Sequence, residues 1–283
     1  MKLIIGGRGR LGQALARAWP AGEALCLERA LYEGWAQDGA EQEVARALAP
    51  WAGGASTVFV ACGLLDPALA PAAHQQVNFD LPRNVIAGAA SLGLKVVTFG
   101  TVMESLLARH NPYIDSKAAL GRHVAGLATA GMAVAHVRVH TLFGGGAPSP
   151  FMFLGQILNA LRQRTPFNMT LGKQLREYHH VDDEARAIRA LDAAGVSGVF
   201  DLSHGEPVSL RALADSVFSA FDAADLLRLG ALAEPLEENY STVFARHPLL
   251  APQAYRPALP AIVDFLTACL AQPQPQPQPL VPE

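Results

Sequence analysis

Short apolar runs alternate with longer, alanine-rich amphipathic stretches along most of this chain, and that alternation constrains the fold more than any other feature. A strand covered on both faces reads as a brief run of Val, Ile and Leu. A helix lying on a sheet instead carries apolar residues at a period near 3.6. On this basis residues 2–5, 24–27, 57–61, 95–99, 133–139 and 198–202 are predicted strands, and residues 11–19, 41–48, 78–92, 113–129, 150–164 and 182–193 predicted helices. Strands alternating with helices predict an α/β fold, a doubly wound parallel sheet with helices on both faces. A further strand expected between Arg29 and Thr57 has no clear apolar run and is left open. Beyond Leu202 helices and loops with several prolines predict a smaller C-terminal lobe, and the Pro-Gln alternation over 272–279 predicts a polyproline II or disordered tail.

Composition removes several classes of function. Half the residues are hydrophobic (51%) and 17% are charged, which excludes global disorder. The net charge of −3, without a basic stripe, argues against a nucleic-acid partner. No apolar run approaches the roughly 20 residues of a membrane helix, and the start reaches Gly6 too early for a secretion signal. Three widely spaced cysteines (Cys26, Cys62, Cys269) form no disulfide or metal framework, so a reducing, cytoplasmic setting is expected. Of the 22 basic residues 18 are Arg, leaving four lysines: Lys2, Lys95, Lys117 and Lys173.

The first chemical signal follows the first predicted strand. Gly6-Gly7-Arg8-Gly9-Arg10-Leu11-Gly12 has G-x-x-G-x-x-G spacing and opens a predicted helix. Glycines let the backbone turn sharply and approach a pyrophosphate, and a helix N-terminus offers free N–H groups and partial positive charge. Chance would give this spacing about 0.2 times in such a chain; its position, from strand into helix, is what points to a nucleotide. At the end of the second strand, Glu28 could hold a free ribose 2′-hydroxyl, whereas Arg29 with Arg8 could clamp a 2′-phosphate. The two arginines favour NADP over NAD.

The second signal is Tyr113-Ile114-Asp115-Ser116-Lys117. Residues four apart on a helix share a face, so phenol and ammonium can reach one ligand. A nearby cation favours the phenolate and should draw the tyrosine toward useful acid–base values. With five Tyr and four Lys, Y-x-x-x-K would arise by chance about 0.07 times. Thr101 closes the strand that precedes this helix, at the edge where open α/β sheets bind ligands.

Taken together, the glycine turn, Thr101, Tyr113 and Lys117 resemble the extended short-chain dehydrogenase/reductase family, in particular its nucleotide-sugar epimerases and reductases. Phe59-Val60-Ala61-Cys62-Gly63, Val77-Asn78 with Leu81-Pro82-Arg83-Asn84, and Val137 through Gly144 resemble further family segments. So do Arg176-Glu177-Tyr178-His179-His180-Val181-Asp182-Asp183 and the segment from Val199 to Leu210, so the likeness spans about residues 1–270. It implies a Rossmann dinucleotide-binding domain (residues 1–145 and 177–203), a substrate-binding lobe (146–176 and 204–270) and a tail (271–283). A homodimer through helices 78–92 and 113–129 is also implied.

Carried over by position, Tyr113 is expected to be the general acid/base, Lys117 to bind the nicotinamide ribose and lower the tyrosine pKa, and Thr101 to donate a hydrogen bond to the reacting oxygen. Gly6, Arg8, Gly9, Arg10, Leu11, Gly12, Glu28, Arg29, Ala61, Cys62, Gly63 and Asn78 are expected around the dinucleotide. Glu104, Thr141, Asn168, Thr170 and Arg176 are expected on the substrate side. Arg176 reads as a partner for a substrate diphosphate or, alternatively, as an ion pair with Asp182 or Asp183. Val102-Met103-Glu104 after Thr101 lacks the Asp-Glu pair of sugar dehydratases and the Cys of enzymes that epimerise at two carbons and then reduce. Together with a trimmed loop before Tyr113, this favours a reductase of 4-ketosugars, with a 4-epimerase holding NAD tightly as the alternative. A dinucleotide sensor without catalysis is the third reading, disfavoured by the complete Thr–Tyr–Lys set. His179, His180, Asp182 and Asp183 are metal-ligand types, but they fall on a strand-to-helix junction where Asp182 reads as a helix N-cap, so no metal is expected. Cys62, in an apolar strand end, reads as buried rather than nucleophilic.

Overall fold

The computed structural model describes residues 1–53, 55–66, 68–107 and 111–272. Its centre is a six-stranded, wholly parallel sheet of β1 (Lys2–Ile5), β2 (Ala24–Cys26), β3 (Thr57–Val60), β4 (Lys95–Thr101), β5 (Val134–Val139) and β6 (Gly198–Leu202). The order across the sheet is β6-β5-β4-β3-β1-β2, so the chain reverses direction of travel between β1 and β3. Such a reversal opens a crevice at the strands' C-terminal ends, where doubly wound sheets bind ligands.

The helices are α1 (Arg10–Ala18), α2 (Glu41–Leu48), α3 (Leu81–Ala90), α4 (Pro112–Thr129), α5 (Phe153–Gln163), α6 (Val181–Ala193), α7 (Leu210–Ala220) and α8 (Ala258–Ala271), with shorter turns between them. Two apolar layers sandwich the sheet. One packs Trp35, Val44, Leu48 and Val85 against Leu3, Val58 and Val96; the other packs Leu15, Ile188 and Leu191 against Ile4, Phe59 and Val97. Alternate residues of each strand therefore face opposite layers, as period-two geometry requires. A third core, of Leu154, Ile157, Leu213, Phe218, Ile262 and Leu266, belongs to the C-terminal lobe.

Two departures from expectation have local causes. Among the described residues no strand lies between Arg29 and Thr57, so β2 is the sheet edge. That interval instead forms a short turn, Arg29–Tyr32, and α2, whose Val44 and Leu48 are buried. The helix expected over 78–92 begins as a π-helical segment, Gln76–Asp80, before α3. Pro82 has no N–H to return to a carbonyl four residues back, and Leu81 N–H reaches Gln76 O instead. Of the Pro-Gln tail only Gln272 is described; the rest lies outside the described residues. Among the described residues no helix is long and apolar enough to cross a membrane.

One carboxylate ties the sheet's opposite edge together. Asp192, buried near the end of α6, binds Lys2 Nζ at 2.6 Å, Lys95 Nζ at 3.3 Å and the Thr57 hydroxyl at 3.0 Å. These three are the first residues of β1, β4 and β3. Replacing Asp192 by Ala leaves two half-sheltered ammonium groups unpaired and should cost about 2 kcal/mol. Asp192→Asn, which keeps one acceptor oxygen but turns an N–H donor toward the other partner, should lose somewhat less than Asp192→Ala; urea unfolding midpoints test the order.

Candidate active site

The glycine turn follows β1 and meets the end of β3. Gly6 has φ +88°, which L side chains rarely adopt, and a Cβ there would stand 2.5 Å from Cys62 N. A Cβ on Gly12 would collide with Gly6 O, so α1 packs on the turn backbone to backbone. Gly9 N–H donates to Gly6 O (2.9 Å), and no side chain caps α1. This is a cradle with a free helix N-terminus, and it fits a dinucleotide pyrophosphate. Ala61 and Cys62 form its floor. Burial raises the Cys62 thiol to about 11, which makes it a poor nucleophile. Arg8, Glu28 and Arg29 are exposed, while Leu11 is half-buried on α1. Arg10 turns away from the cradle and donates to Leu142 O (3.4 Å) and Ala147 O (2.9 Å). Tyr32 was not anticipated. Its phenol lies beside the Gly6 backbone, which lowers its pKa, but burial raises it above the usual tyrosine value. A lone tyrosine in a four-residue helical turn carries no periodic signal that would have marked it.

Beside the cradle, the C-terminal end of β4 and the first two turns of α4 bring Thr101, Tyr113 and Lys117 together. Asn111 caps α4, its side chain accepting Ile114 N–H, with Pro112 at the first helical turn. Lys117 is buried, donates to Phe99 O (2.9 Å), and lies 3.2 Å from where a Gly63 Cβ would stand. Asn78, on the π-helical segment, donates to Leu64 O (3.0 Å) and Ser116 Oγ (3.1 Å) and accepts Leu64 N–H (2.9 Å). It thus fixes the loop after β3 against α4. The half-buried Tyr113 phenol stands beside the Thr101 hydroxyl, which lowers its pKa, but burial first and the Glu104 carboxylate second push it above the usual tyrosine value. The expectation that Lys117 draws the phenol down is therefore corrected: the ammonium is directed at Phe99 O, and burial lowers its own pKa.

Glu104 also departs from its expected place. It turns inward instead of facing the substrate side, its carboxylate 4% exposed and 3.4 Å from His136 Nε2. Thr101 N–H donates to it at 2.7 Å. A Cβ on Gly100 would collide with both Glu104 and His136, so two glycine positions, 100 and 121, leave the room this pair occupies. Burial keeps His136 neutral; its Nδ1 meets the Thr98 hydroxyl at 2.8 Å.

The remaining residues expected on the substrate side make contacts of their own. Thr141 begins a short strand whose N–H donates to Glu177 O (3.2 Å), and exposed Asn168 ends another. The Thr170 hydroxyl donates to Gln174 Oε1 (3.2 Å) and accepts Gly172 N–H (3.0 Å), bracing its own loop. Arg176 pairs with Glu238, not with Asp182 or Asp183, and donates to Leu175 O (2.9 Å). Asp182 is not the cap of α6. His180 is, accepting Asp182 N–H at 3.2 Å, while Asp182 pairs with Arg17 at 2.7 Å.

A model of the NAD dependent epimerase/dehydratase family matches residues 2–201, and the chain belongs to that family. No curated protein matches it by sequence. Among solved structures it is similar to the dTDP-glucose 4,6-dehydratase DesIV of Streptomyces venezuelae with NAD bound (TM-score 0.71, 17% identity, 94% of this chain and 96% of that one). It is also similar to a UDP-N-acetylglucosamine 4-epimerase of Methanobrevibacter ruminantium M1 (0.73, 14%, 95% and 96%). RMD of Pseudomonas aeruginosa with NADPH matches at 0.70 and 15%, over 94% and 99%.

The cradle predicts a selective loss. Gly6 and Gly22 have nearly equal positive φ, +88° and +86°, but nothing lies within 4 Å of a Gly22 Cβ. Gly6→Ala and Gly22→Ala should each cost about 1 kcal/mol of backbone strain. Only Gly6→Ala should weaken dinucleotide binding, by more than tenfold, in an NADPH fluorescence titration.

Proposed function

We propose that this protein is a nicotinamide-dependent reductase of the 4-keto group of a nucleotide-linked sugar. The observation that carries the reading is the convergence of Thr101 and Tyr113 on one point beside the glycine cradle. A nicotinamide dinucleotide, when bound, would supply the hydride; the backbone of the turn from Gly6 to Gly12 would hold its pyrophosphate, and the Ala61–Gly63 loop and Lys117 would hold the rest. Tyr113 Oη hands its proton to the substrate oxygen, and Thr101 Oγ1 donates a hydrogen bond to the same oxygen as it gains negative charge. Lys117, anchored on Phe99 O, keeps N–H groups for ribose hydroxyls. The exposed pair Arg8 and Arg29 supports a 2′-phosphate and hence NADPH; Glu28 at the same corner is the group that would serve NADH.

The state of Tyr113 supports reduction. A phenol kept protonated by burial and by Glu104 is a proton donor, which ketone reduction needs. An epimerase of the same architecture would hold NAD tightly and show no net redox change, so the ligand that copurifies separates the two.

Tyr113→Phe should lower NADPH-dependent ketosugar reduction by 10²–10⁴-fold while sparing cofactor binding; unchanged turnover rules out the mechanism. The pH profile carries a second test. Reduction needs the protonated phenol, so activity is present below its pKa and lost as pH rises through it. Glu104→Gln removes a neighbouring negative charge and should move that alkaline limb down by about one unit.

A further inference from the structure

A second polar cluster lies away from the Thr–Tyr–Lys set, where the short strand Tyr178–His180 and the start of α6 meet the segment after β6. Glu177, His179 and His204 are 2%, 1% and 7% exposed. One ligand-type atom from each falls within 4.8 Å of the others. Glu177 Oε2 lies 3.0 Å from His179 Nε2 and 3.8 Å from His204 Nδ1. A tetrahedral ion with bonds of about 2.0–2.1 Å has ligand–ligand edges of about 3.3 Å, between these two spacings.

The surroundings are those of a metal ligand set. The other nitrogen of His179, Nδ1, is held by Glu184 Oε2 at 2.7 Å, the carboxylate–histidine arrangement that orients metal-binding imidazoles. The Ser203 hydroxyl donates to Glu177 Oε1 at 2.6 Å, and His204 N–H donates to Oε2 at 3.0 Å, fixing the carboxylate. His140 Nε2 stands 3.8 Å from Glu177 Oε1. Buried polar atoms are normally paired. Among the described residues, four of the seven buried side-chain polar atoms without a hydrogen-bond partner belong here: His140 Nε2, Glu184 Oε1, His204 Nε2 and Tyr255 Oη. Two buried carboxylates, Glu177 and Glu184, share the His179 imidazole between them.

The geometry points to a divalent-cation site formed by Glu177, His179 and His204, with nitrogen and carboxylate donors of the kind that take zinc. The ion replaces the proton shared by His179 Nε2 and Glu177, so binding releases one proton. His204 contributes the Nδ1 lone pair that now accepts only Glu206 N–H at 3.1 Å. The ion would bind the return to α6 to the exit from β6, a structural tie independent of the reductase reading. On this proposal the site holds an ion where the sequence alone leads to no metal being expected. Of the residues whose spacing suggested ligands, His179 takes part, while His180 and Asp182 are engaged at the helix cap and with Arg17.

The test is metal analysis of the full chain, stripped with EDTA, reloaded with Zn²⁺ and exchanged into metal-free buffer. One zinc per chain and a melting temperature raised by several degrees are expected, with Co²⁺ giving the intense visible absorption of a tetrahedral site. Glu184→Gln should weaken Zn²⁺ binding 10–100-fold. His204→Asn, which still accepts Glu206 N–H, should abolish binding, and His180→Asn should leave it unchanged. Fewer than one zinc in ten chains after reloading, or His204→Asn binding like the wild type, overturns the site.

Discussion

The contact on which the rest of the site depends is between two stretches of bare backbone. The turn after β1 lies so close to Ala61 and Cys62 that a single Cβ at Gly6 has no room, and α1 rests on Gly6 O through a Gly12 that also lacks one. Close approach by glycine fixes three things at once: where α1 starts, which N–H groups it leaves free, and how far β1 stands from the loop after β3. Asn78 then carries that geometry across, holding the same loop to Ser116 on α4. Tyr113 and Lys117 are on that helix, so their placement descends by a chain of hydrogen bonds from the glycine turn.

The four lysines in an arginine-rich chain divide along the sheet. Lys2 and Lys95 sit at its N-terminal edge, both on Asp192, where a compact ammonium converges with its neighbour on one buried carboxylate. Lys117 is at the C-terminal edge, buried with its ammonium on Phe99 O. A guanidinium is larger, planar and permanently charged, and it suits neither confined position. Lys173 is exposed and makes no comparable demand.

What could be read in the sequence was local. β1 and β6 fall where short apolar runs predict them, and the other four strands lie within two residues of prediction. The glycine turn and the Tyr113–Lys117 spacing are visible because both arise within one turn and one helix. The interval before Thr57 shows no apolar strand run because a helical pattern with Val44 and Leu48 on one face occupies it. Long-range pairings were not readable. Asp192 reaches Lys2 across 190 positions, and Arg176 reaches Glu238 across 62. Glu177 meets Ser203 across 26. Nothing in the spacing of single charged residues announces such partners, so from sequence Arg176 reads as a substrate contact or as a partner of Asp182 or Asp183, and Asp182 as a helix cap.

Glu104 shows how a pattern that is correct in composition can mislead in direction. Three residues after Thr101, at the end of a strand that binds ligands, an acid reads as a substrate contact. Yet Gly100 and Gly121 leave a hollow behind the strand, and a neutral His136 waits in it, steadied by Thr98. The carboxylate that fills the hollow accepts Thr101 N–H and so holds the backbone of one expected catalytic residue, while its charge adds to burial in raising the pKa of the other. A group buried behind the strand can thus act on both the position of a hydrogen-bond donor and the protonation of the acid beside it. In an open α/β fold, where ligands meet only strand ends, support of this kind has to come from behind the sheet edge, and the two glycines are what admit it.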